Sequence, residues 1–169
     1  EVTKGYLAPY ISNYNDSVYY DEYDVTSMLL EGIDNVVCVV LGNGFANAVD
    51  FDVWQFESSP LRRAPCFAIT LTCDGKLTLE TDASFEAYDS AITFDDIRAG
   101  ERYDARLYRA ELFEPSNKPL PGYGKPIVVE APRGELRKCD VEPIREQRRF
   151  CAASVIASGN GYIYDFGEN

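Results

Sequence analysis

The sequence contains no histidine among its 169 residues. This absence excludes Ser-His-Asp and Cys-His nucleophile systems, histidine metal sites and the usual proton shuttle near neutral pH. Basic residues are also few, because 16 lysines and arginines stand against 28 acidic residues, for a net charge of −12. Such a charge is repelled by phosphate backbones and anionic membrane surfaces, so we expect neither nucleic acid nor a membrane as a partner.

Long apolar runs are absent as well. No stretch approaches the ~18 to 20 apolar residues that span a bilayer, and the first residues show no secretory leader, so we expect a soluble protein. The five cysteines are odd in number and show no CxxC spacing, which fits neither a disulfide framework nor a zinc cluster. We therefore expect a reducing compartment, the cytoplasm, with the cysteines used as small hydrophobic residues.

What the sequence does contain is a succession of short β-rich stretches separated by turn residues. Asp74-Gly75 lies between two of them and is the strongest hairpin signal, and Ser158-Gly159-Asn160-Gly161 marks a second hairpin. Residues 24–32 predict one or two helical turns, and residues 115–126, with four prolines and two glycines, predict a loop. The predicted strands are 18–25, 36–41, 49–54, 66–72, 77–79, 85–88, 92–94, 103–108, 127–130, 141–144, 155–156 and 162–164.

Many short strands with hardly any helix predict an all-β fold, a β-sandwich of the jelly-roll type. At 169 residues, the chain should form one unit or one unit plus a fragment. Trp54, the only tryptophan, is either a core residue or a platform for a ligand, and the core is the favoured interpretation.

Gly42-Asn43-Gly44 follows the apolar run 36–41. A dinucleotide fingerprint is rejected, because Asn47 occupies the third glycine position and no βαβ pattern surrounds it. The favoured interpretation is a glycine turn at the end of a strand. The alternative is that Asn43 or Asn47 faces a ligand.

Residues 100–107 (GERYDARL) combine two acids, two arginines and a tyrosine. Such sets bind sugars, since carboxylate and guanidinium groups bond vicinal hydroxyls while an aromatic ring covers the C–H face. The alternative, which we favour, is a structural ion pair in which Asp104 or Glu101 bridges Arg106 to hold two strands together. The remaining acids, scattered over the chain, have no specificity for a two-carboxylate glycosidase.

Three motifs in a fixed order resemble the N-terminal accessory module of bacterial α-L-rhamnosidases. Residues 131–136 and 143–145 resemble the exit from that module, and residues 162–169 are similar to the opening strand of the following β-sandwich. The three motifs are residues 19–32 (YYDEYDVTSMLLEG), 39–45 (VVLGNGF) and 100–107 (GERYDARL).

The resemblance implies a galactose-binding-like jelly roll over residues 1–149, with residues 150–169 as linker and opening strands of the next domain. It also implies that catalysis resides in a large helical barrel downstream, where two glutamates perform an inverting hydrolysis, so no catalytic residue is expected here. We expect the chain to begin inside the first sandwich, which lacks its first strands, and to end just inside the second. Unpaired strand edges should then favour self-association.

As a function, the resemblance implies a non-catalytic module that binds L-rhamnose or a rhamnosylated glycan, or that scaffolds the catalytic barrel and the other domains of the parent enzyme. The parent could be exported. No cofactor is required, but Ca²⁺ is a candidate ligand, held by Asn43 and Asp104. The alternative is a small self-contained carboxylate-based glycosidase. The implied carbohydrate-binding residues are Asn43, Glu101, Tyr103, Asp104 and Arg106.

Overall fold

The computed structural model describes residues 2–3, 5–45, 47–48, 55, 58–59, 62–114, 120 and 123–167. Its contacts divide the chain into two units. One consists of Glu1–Val25 together with Pro132–Asn169 and is called the split unit below. The other, Thr26–Ala131, is called the inserted unit, because it interrupts the split unit in the sequence. The modules expected from the sequence, 1–149 and 150–169, stay a prediction.

The described residues form short strands and almost no helix, which confirms the all-β class. The 3-10 turns whose residues are all described are Thr26–Met28, Ala105–Leu107 and Ala110–Phe113. The first of these confirms the helical turn expected within residues 24–32. The strands are β1 Ser17–Tyr20, β2 Thr70–Cys73, β3 Lys76–Glu80, β4 Ala87–Tyr88, β5 Ile92–Asp96, β6 Gly100–Tyr103, β7 Tyr123–Gly124, β8 Glu135–Lys138, β9 Ser154–Ser158 and β10 Gly161–Asp165.

In the described part of the chain these strands pair into five two-stranded sheets. The split unit contains the parallel pair β1–β8 and the antiparallel hairpin β9–β10, with a single bridge between Tyr6 and Ile144. The inserted unit contains three antiparallel pairs, β2–β3, β4–β7 and β5–β6. Each strand therefore pairs on one side only within the described residues.

The hairpin β2–β3 forms where the Asp-Gly signal predicts it. Asp74 and Gly75 both take positive φ values, 51° and 74°, as a two-residue type I′ turn requires. Beyond the paired strands, Thr81 closes the hairpin, because its amide donates to the Ile69 carbonyl at 3.1 Å and its Oγ1 accepts from the Ile69 amide at 2.6 Å. The predicted hairpin across residues 158–161 is confirmed by β9 and β10 in the same way.

The parallel pair β1–β8 depends on a close backbone approach at Gly134. A Cβ atom there would lie 2.6 Å from the Ser17 amide nitrogen and 2.8 Å from the Tyr14 carbonyl oxygen. The Gly134 amide donates to that same carbonyl at 2.9 Å. Glycine at this position thus allows the two strands to come into register. The sequence patterns did not predict β8.

Several predicted strands are wrong. Residues 36–41 form no strand, and their side chains are exposed; the exposed fraction of Val40 is 66%. Residues 127–130 form no strand either, and the exposed fraction of Ile127 is 86%. An apolar run becomes a core strand only where neighbouring layers cover its faces, and the described residues do not cover these two. Residues 103–108 were expected to form a strand, but β6 ends at Tyr103 and a 3-10 turn follows.

Other expectations are met in part or lie outside the description. Residues 141–144 supply only the bridge at Ile144, and the loop expected at 115–126 includes the two-residue strand β7. The predicted strand 49–54 and Trp54 lie outside the described residues.

Few described side chains are buried. The buried residues are Ala48, Ala91, Asn47 and Asp96. All five cysteines are free thiols and only Cys139 is half-buried, so the expected use of cysteine as a small buried hydrophobic residue is wrong. Where the structure describes the chain, no helix has the length and apolar character needed to cross a membrane.

Candidate functional site

The hairpin β5–β6 carries Glu101 and Tyr103, and the other predicted site residues contact it or follow it directly. Its turn is built by Asp96, whose buried Oδ1 accepts from the amides of Arg98 at 2.8 Å and Ala99 at 2.7 Å. Gly100 follows with φ at +88°, a value that side chains disfavour. This local chemistry fixes the register that places Asp95 opposite Glu101.

Asn43 is anchored to this hairpin through Asp95. The Asn43 backbone amide donates to Asp95 Oδ2 at 2.7 Å, and its Nδ2 donates to Asp95 Oδ1 at 2.8 Å and to the Asp95 carbonyl at 3.2 Å. A Cβ atom at Gly42 would lie 3.3 Å from Asp95 Oδ2, and Gly44 has φ at +51°. Both glycines thus serve the turn that presents Asn43. The predicted glycine turn is confirmed, but the strand expected to precede it is not, because residues 36–41 form no strand.

Asn47 has a structural role in the same turn. It is buried, its amide donates to the Asn43 carbonyl at 3.3 Å, and its Oδ1 accepts from the Arg63 amide at 3.1 Å. Of the two asparagines that could face a ligand, Asn43 is therefore the more accessible, being half-buried.

Glu101 and Tyr103 lie on one face of β6. The register shift of this hairpin lies in β5, between Ile92 and Phe94, and β6 continues from Arg102 to Tyr103 without an extra residue. Residues two apart in a regular strand point to the same side, about 6.6 Å apart, so the carboxylate and the aromatic ring share that face of β6. Both residues are exposed, Tyr103 at 56%. Cross-strand partners also share a face, which adds the Asp95 carboxylate beside Glu101. The guanidinium of Arg102 instead lies over the Phe94 ring, 5.1 Å from its centroid.

Asp104 and Arg106 form a bidentate ion pair. Arg106 Nε donates to Asp104 Oδ1 at 2.8 Å, and Nη2 donates to Oδ2 at 2.6 Å. The Arg106 backbone amide also donates to Asp104 Oδ1, at 3.1 Å, so Asp104 caps the 3-10 turn Ala105–Leu107. The Arg106 side chain, followed by its amide, lowers the pKa of Asp104, and Asp104 raises the pKa of Arg106.

The ion-pair interpretation of this motif is confirmed for Asp104, with one correction. The pair joins residues two apart and so holds a turn, whereas the sequence suggested that it would bridge two strands. The link to the neighbouring strand region is made by the Asp104 amide, which donates to the carbonyl of buried Ala91 at 2.8 Å. The Arg106 side chain remains 89% exposed.

The predicted site residues thus lie at or beside the two ends of one hairpin. Asn43, through Asp95, lies at the turn end with Glu101, whereas Tyr103, Asp104 and Arg106 lie at the open end. Asp104 lies three positions after Glu101 along extended backbone, which corresponds to about 10 Å. Asp95 was counted only among scattered surface acids. The signal that could have identified it is the hairpin register, which places it opposite Glu101.

The expected Ca²⁺ site depends on oxygen atoms of Asn43 and Asp104 that are available as ligands. Ca²⁺ takes about 6 to 8 oxygen ligands, and both carboxylate oxygens of Asp104 are already bonded by a cation, Arg106. In the described ranges, no three His, Cys, Asp or Glu side chains are grouped so that they could hold a metal ion. Ligation by Asp104 would first require displacement of Arg106, so a Ca²⁺ shared by Asn43 and Asp104 stays a prediction.

Comparison with known proteins places these features in context. A family model described as the alpha-L-rhamnosidase N-terminal domain matches residues 1–148. A curated alpha-L-rhamnosidase of Formosa agariphila is 26% identical over 176 aligned positions, which cover 96% of this chain and 18% of that relative. No solved structure matches the chain. The chain therefore spans only a small part of the relative's length.

Proposed function

Because the chain belongs to the family of alpha-L-rhamnosidase N-terminal domains, we propose that it is a non-catalytic accessory module of an α-L-rhamnosidase. In this proposal the module binds terminal L-rhamnose or scaffolds the domains that carry out the hydrolysis. We propose a galactose-binding-like jelly roll as its complete fold, to which the short antiparallel hairpins of the inserted unit would contribute strands.

The observation that supports sugar binding is the exposed face of β6. Glu101 and Tyr103 present a carboxylate and an aromatic ring on the same side, and the bonds from Asn43 to Asp95 steady the strand opposite. A carboxylate accepts hydrogen bonds from vicinal hydroxyls while a ring covers the C–H face of the sugar. Because these side chains lie on an open surface, we expect weak binding of the sugar. A millimolar Kd corresponds to a binding free energy of only about −4 kcal/mol.

Titration calorimetry with L-rhamnose, with and without Ca²⁺, tests the binding version of the proposal. We expect Glu101→Gln and Tyr103→Ala to abolish the heat of binding. Glu80→Gln, which alters an exposed acid on another hairpin of the same unit, should leave it unchanged. If the unmodified chain gives no heat and no protection against unfolding, sugar binding is wrong and the scaffolding version alone stands.

A hydrolase assay distinguishes the alternative function. Release of nitrophenol from an aryl rhamnoside by the purified chain, abolished by one Asp or Glu substitution, would support a self-contained glycosidase. We expect no turnover, since the carboxylates described above are engaged in structural contacts or lie on an open surface.

We also propose that strand edges of this chain associate with another copy. Each strand in the described ranges pairs with one neighbour, so one edge of each presents amides and carbonyls for a further strand. Pairing of such edges between chains is a common route to association.

A further inference from the structure

The split unit contains a groove that is separate from the β5–β6 hairpin in the sequence. It has a volume of 190 Å³ and lies among the N-terminal segment, the residues after β1 and the end of β8. This volume is below the range of about 300 to 1,000 Å³ typical of sites for drug-sized ligands, so the groove suits one small molecule. Its polar lining comes from Tyr10, Asp21, Glu22, Tyr23, Lys138 and Arg145.

Direct contacts hold the walls of the groove in place. The Tyr10 hydroxyl donates to the Glu142 carbonyl at 2.7 Å, which ties the N-terminal segment to the residues after β8. The Cys139 amide donates to the Tyr20 carbonyl at 2.8 Å, which extends the β1–β8 pairing to the edge of the groove. The groove is thus built by backbone pairing as well as by side chains.

The charges in the groove cancel. Lys138 and Glu22 neutralise each other in an ion pair. The Tyr23 hydroxyl donates to Asp21 Oδ2 at 3.2 Å, and burial together with Asp21 raises the pKa of Tyr23. Within the described residues neither Asp21 nor Arg145 has an ion-pair partner.

This balance selects the kind of ligand. With Lys138 and Glu22 paired, one carboxylate, Asp21, and one guanidinium, Arg145, remain, so a charged ligand of either sign would have a like charge beside the opposite one. A neutral molecule with many hydroxyl groups matches both remaining charges, because its hydroxyls donate to a carboxylate and accept from a guanidinium. The rings of Tyr10 and Tyr23 supply aromatic surface for the C–H face of such a ligand.

We propose that this groove is a second saccharide site, which takes one neutral sugar ring between Asp21, Arg145 and the two tyrosines. The proposal rests on the proposed carbohydrate-binding function of the module. It adds a site in the split unit to the one proposed on the hairpin of the inserted unit.

Residue-resolved NMR titration of the whole chain with L-rhamnose tests this site, with D-glucuronate as the anionic comparison. We expect L-rhamnose at millimolar concentrations to shift the amide signals of Asp21, Glu22 and Lys138. Arg145→Gln and Asp21→Asn should each weaken this binding at least tenfold. Arg133→Gln, an exposed arginine of the same unit outside the groove, should not. Glu101→Gln should leave the groove signals responsive.

Each other outcome has a defined meaning. If L-rhamnose shifts hairpin signals but no groove signals, the second site is wrong and the proposed function stands. If neither set shifts, both sugar sites are wrong. Tighter binding of D-glucuronate than of L-rhamnose would show an anion site and overturn the neutral ligand, as would an Arg145→Gln variant that binds L-rhamnose like the unmodified chain.

Discussion

Removal of the Asp95 carboxylate should destabilise the inserted unit through Asn43. The Asp95→Ala substitution removes both carboxylate hydrogen bonds, the one from the Asn43 amide at 2.7 Å and the one from Asn43 Nδ2 at 2.8 Å. The bond from Nδ2 to the Asp95 carbonyl, at 3.2 Å, would remain. The glycine turn would then lose its main attachment to the β5–β6 hairpin.

The expected loss follows from the type of bond. A hydrogen bond to a charged group contributes about 1.5 to 3 kcal/mol, and the lower value applies here because both residues are half-buried. Two such bonds give about 3 kcal/mol of unfolding free energy. In a chain of this size, about 1 kcal/mol shifts Tm by about 2 to 4 °C, so we expect Tm to fall by about 6 to 12 °C. Asp95→Asn keeps one carbonyl oxygen and should lose about half as much.

Thermal unfolding followed by circular dichroism measures the global effect, and amide hydrogen exchange at Asn43 measures the local one. At 1.4 kcal/mol per factor of ten, about 3 kcal/mol corresponds to about a hundredfold loss of protection at that amide. Asp89→Ala removes an exposed acid of the same unit and should change stability by less than about 0.5 kcal/mol. If Asp95→Ala matches Asp89→Ala in both measurements, the attachment of Asn43 to Asp95 does not stabilise the fold.

Four further results are expected. Gly75→Ala should lower the free energy of unfolding, measured with denaturant, by about 1 kcal/mol, because Gly75 has a positive φ. Gly161→Ala, where a Cβ also meets open space but φ is not positive, should lower it by less. Equal losses would contradict the type I′ turn. Gly134→Ala should cost about 3 kcal/mol and remove exchange protection from β1 and β8, and retained protection would contradict the close approach. The lowered pKa of Asp104 implies a stability contribution that is present above the unfolded-state pKa and lost as pH falls through the folded-state value. Asp104→Asn should therefore flatten the acid side of a pH–stability curve, and an unchanged curve would show that the pair with Arg106 contributes nothing. Sedimentation at micromolar concentration should show association that strengthens with salt, which screens the charge of −12, and compact monomers at all salt concentrations would refute edge pairing.

The parts of the fold that the sequence predicted are those set by local chemistry. Asp74 and Gly75 both adopt positive φ, so these two residues suffice to predict the hairpin β2–β3. In the turn between β9 and β10, Gly159 alone has a positive φ, at 58°. The strand β8 could not be predicted, because its partner lies in β1, far away in the sequence, and its alternation alone is weak. Residues 36–41 were wrongly predicted to be a strand, because an apolar run does not specify which other residues pack against it.

In the candidate site too, local features were predicted from the sequence and long-range contacts were not. The motif at residues 100–107 was found from its composition, which predicted an ion pair of Arg106 with Asp104 or Glu101. The structure shows that the partner is Asp104 and that the pair holds a turn. The partner of Asn43 was missed, since Asp95 lies 52 positions away and reaches it only after the β5–β6 register forms. Long-range side-chain bonds of this kind require the tertiary structure before they can be seen.

The division into a split and an inserted unit has a consequence for the order of folding during synthesis. Glu22 and Lys138, which form an ion pair, are 116 positions apart, and the whole inserted unit is translated between them. Strand β1 therefore cannot pair with β8 until β8 has left the ribosome. Prior compaction of Thr26–Ala131 would shorten the effective loop and reduce the entropy cost of closing it. A ribosome-bound chain that ends before residue 132 should accordingly protect the hairpins of the inserted unit while residues 17–20 still exchange freely.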